Sequence, residues 1–122
     1  MAMTEPLEVS KWMKYAERDL EIAVKMASEY PEDSVFHCQQ AAEKALKAVF
    51  IKKFGELIKT HELVFLARKV GLPEELLIDC KDLNESSAAT RYPGYEEVIT
   101  AFTPDSAMKA AGRLVVWSRK QL

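Results

Sequence analysis

The chain has little of what interrupts helices and little of what builds metal sites. Its 122 residues include four glycines, five prolines, two cysteines and two histidines. The glycines and prolines fall at a few sites, as punctuation between long helices, and no stretch alternates apolar with polar residues as a strand would, which excludes a sheet protein. Cys38 and Cys80 lie far apart without a CxxC spacing, and the histidines come with neither paired cysteines nor an HExxH run, so no zinc ligand set is recognisable. Both cysteines are expected as reduced core residues. Charge of one sign is also lacking: a formal net charge of -2 excludes a polycation that coats nucleic acid, so any such contact must come from a local basic patch. No apolar run approaches the roughly 20 residues of a membrane span. Met1 to Ser10 lacks the basic-then-apolar order of a signal peptide, so a cytoplasmic protein is expected. There is no glycine-rich phosphate loop and no GxSxG elbow, and the carboxylates read as scattered over solvated faces, leaving paired acid–base work without a seat.

What is present is ordinary globular composition, 48% hydrophobic and 30% charged, in one domain's length. The reading is a short N-terminal tail over 1–9 and a helical domain over 10–122. Val9, Trp12, Ala16, Leu20, Ala23, Val24 and Ala27 recur at three- and four-residue spacings and predict a first helix from about Val9 to Ser28. Tyr30-Pro31-Glu32-Asp33 ends it. Val35, Cys38, Ala42, Ala45, Leu46, Val49 and Lys53 predict a second from about Ser34 to Phe54, stopped by Gly55. The alanines of this helix favour its formation and let neighbours approach closely, so the two form an antiparallel hairpin. Thr60 is expected to cap a third helix over His61 to Val70, and Pro73 to open a fourth reaching Ser87. Thr103-Pro104 opens the last, which runs to about Lys120 with Ala107, Ala111, Leu114, Val115 and Ser118 inward. The fold class is all-α, an up-and-down bundle of four to five helices.

Two features hint at a ligand. His37, Gln40, Lys44 and Lys47 are spaced three, four and three apart and share one face of the second helix. Lysines offer point charges to a phosphate and glutamine can pair with a base edge; the same row also reads as a solvated face in which Glu43 and Lys47 support the helix. Arg91-Tyr92-Pro93-Gly94-Tyr95 sets a cation and two aromatic rings around a turn, parts used in recognising nucleotides and single-stranded RNA. Equally, the tyrosines could pin a long loop while Arg91 pairs with a carboxylate. His37 and His61, taken singly, read as surface or helix-start histidines.

Four segments, taken in order, resemble HEPN domains (higher eukaryotes and prokaryotes nucleotide-binding). They are Trp12-Met13-Lys14-Tyr15-Ala16-Glu17-Arg18-Asp19-Leu20, Phe36-His37-Cys38-Gln39-Gln40-Ala41-Ala42-Glu43-Lys44-Ala45-Leu46-Lys47-Ala48, Thr60-His61-Glu62-Leu63, and Arg91-Tyr92-Pro93 followed by Thr103-Pro104-Asp105-Ser106-Ala107. The resemblance spans roughly residues 10 to 120. It implies a homodimer and a link to nucleotides or RNA, with no cofactor and no metal. It also implies a minimal nucleotidyltransferase as partner, often within a toxin–antitoxin pair. Some members are metal-independent endoribonucleases with an Arg-x(4–6)-His motif. Here Tyr95 to Phe102 read Tyr-Glu-Glu-Val-Ile-Thr-Ala-Phe, so Arg91 lacks that histidine and the usual acid or base is missing.

Three functions follow. The first is a HEPN module that binds a nucleotide, RNA or a nucleotidyltransferase through His37, Gln40, Lys44, Lys47, Arg91 and Tyr92. The second is a metal-independent endoribonuclease with a rearranged site, for which Arg91 and Tyr92 are the catalytic candidates. The third is a structural dimer that presents Trp12, Tyr15 and Trp117 to a partner.

Overall fold

The computed structural model describes the backbone of residues 5–89 and 103–122 and the side chains of 8–85 and 103–122. Five helices follow one another there, without a strand: α1 (Glu5–Met26), α2 (Pro31–Phe54), α3 (Leu63–Val70), α4 (Glu74–Ala89) and α5 (Pro104–Gln121). Arg91, Tyr92 and the loop around them lie outside the described residues.

Local chemistry sets the boundaries, and several differ from the periodicity. α1 begins at Glu5, ahead of its apolar stripe, because Pro6 falls in the first turn, where a missing N–H costs nothing. Val24, on the expected stripe, is 59% exposed; it lies at the stripe's edge in the last turn, and Met13 is buried where the stripe reading omitted it. α2 starts at Pro31, three residues before the expected Ser34. Pro31 takes the first helical turn, and Glu32 and Asp33 complement the helix dipole there. The buried Ser34 hydroxyl donates back to the Ala23 carbonyl at 2.7 Å, which ties the hairpin at its turn. Lys53 is not a core residue: it is exposed, and its Nζ donates to the Val70 carbonyl at 2.6 Å. α3 starts at Leu63, and its cap is Glu62, whose carboxylate accepts from the Phe65 N–H at 2.9 Å. Thr60 instead accepts from the Glu62 N–H at 3.3 Å, too early in the chain to cap α3. Gly55 and Gly71 close α2 and α3 at φ of 70° and 79°, a left-handed geometry that glycine adopts without strain.

Thr103 caps α5 as its sequence predicts, accepting from the Ser106 N–H at 3.2 Å. Thr103→Ala is expected to cost about 1 kcal/mol, measured by urea unfolding, because an N-terminal donor of α5 loses its partner.

α2 is the central helix and packs against all four others. On one side Cys38, Ala42, Leu46 and Val49 meet Leu63, Leu66, Leu83, Ala111 and Leu114. On another, Ala41, Ala45 and Ala48 meet Val9, Met13 and Ala16 of α1. Small side chains on both helices bring their backbones close. Trp12 and Trp117 are half-buried against these clusters, not free surface aromatics; Tyr15 alone of the three is exposed. The far edge is clamped by Arg113 of α5, which donates two 2.9 Å bonds to the buried Asp79 of α4; that bonding raises the Arg113 pKa.

Cys38 and Cys80 are free and buried, as expected. Burial pushes both thiols up to about 12, with the nearby Asp79 and Glu62 carboxylates adding to the effect at Cys80. Both should therefore resist iodoacetamide at pH 8 in the folded protein and alkylate together once urea unfolds it, as read by intact mass. The sign of the linkage is destabilising at high pH: unfolded thiols ionise from about 9.0 while native ones stay protonated, so stability falls as pH rises above that value.

Candidate nucleotide-binding seam between α1 and α2

The periodicity of α2 accounts for one side of it; the other side carries buried charge. Gln39, Glu43 and Lys47, four residues apart, form one buried polar row, and His37, Gln40 and Lys44 form a half-buried row beside it. The expected face of His37, Gln40, Lys44 and Lys47 is therefore divided between two groups, each built round a carboxylate. The solvated-face reading fails for Lys47, whose side chain is only 6% exposed.

In the first group Asp19 of α1 is the acceptor. His37 Nδ1 lies 3.0 Å from Asp19 Oδ1, and Lys44 Nζ donates to Oδ2 at 2.6 Å. In the second the acceptor is Glu43. Lys47 Nζ donates to Glu43 Oε2 at 2.9 Å, and His61 Nδ1 reaches the same oxygen at 2.8 Å from the segment before α3. Gln39 Nε2 reaches Glu43 Oε1 at 3.4 Å, and Gln40 Nε2 donates to Gln39 Oε1 at 2.9 Å, which joins the groups into one seam. Aromatic rings of α1 lie beside the cations: Lys44 Nζ is 5.9 Å from the centre of Tyr15 and Lys47 Nζ 5.6 Å from that of Trp12.

Each carboxylate thus meets one lysine and one histidine. A buried carboxylate is costly without a counter-charge, so the lysines are structural requirements as well as donors. Lys44 commits one of its three N–H donors to Asp19 and is half-buried, so it still has hydrogens to offer. The sequence pattern missed Asp19, Glu43 and His61. A signal existed: Asp19 falls seven residues after Trp12 and three after Ala16, in the register of a core stripe where an unpaired charge has no place. The carboxylates are accordingly not all on solvated faces; Asp19, Glu43 and Asp79 are buried.

The HEPN domain family's sequence model matches residues 9–121. The chain belongs to the HEPN family. Among solved structures, this HEPN domain is similar to TT1696 from Thermus thermophilus, with a TM-score of 0.83 at 22% identity over 94% of this chain and 98% of that one. That likeness is one of fold. The archaeal HEPN homologue ST0689 gives a TM-score of 0.74 at 28% identity over 93% of this chain and 97% of its own. A protein of Methanocaldococcus jannaschii named "Putative toxin MJ1304" is 42% identical over 60 residues, which are 48% of this chain and 39% of that protein. The matched segment is thus well under half of that relative's length. No described helix is long and apolar enough to cross a membrane.

Proposed function

We propose that this HEPN domain is a toxin-like module that binds a nucleotide or RNA along the α1–α2 seam. His37, Gln40, Lys44 and Lys47 carry the contacts, and Arg91 and Tyr92 contribute from the following loop. The observation that supports it is the pairing of two buried carboxylate–lysine–histidine groups with the rings of Tyr15 and Trp12. Phosphate recognition uses the remaining lysine hydrogens, base recognition uses Gln40, and Tyr15 offers a stacking face. The module acts as a homodimer in the cytoplasm beside a minimal nucleotidyltransferase, with which it forms a toxin–antitoxin pair.

Titration with mononucleotides and short single-stranded RNAs tests the reading, at two salt concentrations of about 50 and 200 mM so that the phosphate contribution is visible. Tyr15→Ala removes an exposed ring and should weaken RNA binding about tenfold with little change in thermal stability, as expected for one lost stacking contact. No binding of either ligand by the intact protein would sink the reading. Light scattering checks the dimer; co-purification with a nucleotidyltransferase checks the partner.

A further inference from the structure

His61 and Glu43 are arranged for more than closing one end of the seam. The His61 side chain is 81% exposed, yet its Nδ1 is committed to a carboxylate only 5% exposed. Donating Nδ1–H to Glu43 Oε2 at 2.8 Å leaves the lone pair on Nε2, the nitrogen turned to solvent. The carboxylate is itself immobilised, since Lys47 Nζ shares Oε2 at 2.9 Å. Gln39 Nε2 reaches both Glu43 Oε1 and, at 3.5 Å, the His61 carbonyl, tying the histidine's backbone to the same helix. A surface histidine needs none of this to stay solvated. A histidine that moves protons does, because a buried carboxylate fixes its tautomer and stabilises its charged form. His37 has the same kind of partner but only 26% exposure, with its ring edge-on to Phe36.

We infer that His61, oriented by Glu43, is a proton-transfer residue in RNA strand cleavage, an inference that rests on RNA occupying the seam. His61 Nε2 takes the proton of a ribose 2'-hydroxyl, and the freed oxygen bonds to the adjacent phosphorus. The bond from phosphorus to the 5'-oxygen breaks, and that oxygen takes a proton from water. The imidazolium returns its proton to the hydroxide so formed. The products carry a 2',3'-cyclic phosphate and a 5'-hydroxyl, and water is the only co-reactant. Glu43 and Lys47 do not touch the RNA; they are positioning residues.

The test incubates the full chain with short RNAs in EDTA and identifies the product ends. Expected are cyclic-phosphate ends from the wild type and a loss of at least about a hundredfold in His61→Gln, the lower range for a missing acid–base group. Because His61 is exposed, that variant should keep its melting temperature and its RNA affinity. Glu43→Gln should slow cleavage and alter the pH–rate profile, and should add nothing further to His61→Gln. An RNA with a single 2'-deoxyribose at the cleaved position should bind and stay intact. Wild-type protein that binds RNA without cutting it, or His61→Gln that cuts at the wild-type rate, overturns the inference and leaves the binding reading standing. Absence of RNA binding overturns both.

Discussion

Lys47→Met is expected to destabilise the domain by about 3–5 kcal/mol, the usual cost of leaving a buried charge without its partner. Glu43 and Lys47 are both almost fully buried and meet at 2.9 Å. Methionine keeps the length of the lysine stem beside Trp12 and removes only the ammonium, so the loss reports charge and not packing. His61 and Gln39 remain on the carboxylate, but the exposed imidazole is a weaker counter-charge than a buried ammonium. Pairing the change with Glu43→Gln should restore much of the loss, since removing both charges avoids desolvating either. A urea-unfolding cycle of the two single variants and the double one measures this directly. A near-zero coupling energy would mean that water already reaches the pair.

Leu46→Ala should cost about 2–5 kcal/mol, the range for deleting most of a buried leucine and leaving a cavity. Leu46 is fully buried at the middle of the central helix, within the cluster shared by α2, α3, α4 and α5. Collapse around the void is resisted because four helices meet there and none can shift without disturbing another. Chemical denaturation with an unchanged m-value should show the loss as stability alone. Val24→Ala, at an exposed apolar position, should by contrast stay within about 0.5 kcal/mol of wild type.

The same contrast shows where sequence pattern is informative. Leu46, Val49, Cys38 and Ala42 are read correctly because a core stripe repeats every three or four residues and their burial follows from that repeat. Val24 fits the repeat equally well and is exposed. Periodicity gives the direction in which a side chain leaves its helix, but not whether another helix lies there. Glu62 displaced Thr60 as the cap of α3 for a related reason. Two capping residues were available, and the ties from Glu43 and Gln39 to His61 hold that residue outside the helix.

For the seam, the sequence named His37, Gln40, Lys44 and Lys47 through their shared face, and it had no means of finding their acceptors. Asp19 lies 18 residues from His37 and 25 from Lys44, and Glu43 lies 18 from His61. Those separations are set by how α1 and the segment before α3 dock on α2, which no local pattern encodes. By itself the sequence determined the all-helical class, the alanine-rich central helix, the buried reduced cysteines and the family, because each depends on neighbours within a few turns or on residue order along the chain. Only the tertiary structure decided which polar residues are buried, that each carboxylate holds a lysine and a histidine together, and that His61 faces solvent on a buried acceptor. Burying a charge is tolerable only where distant segments bring its partners within hydrogen-bond reach, and that is a property of packing.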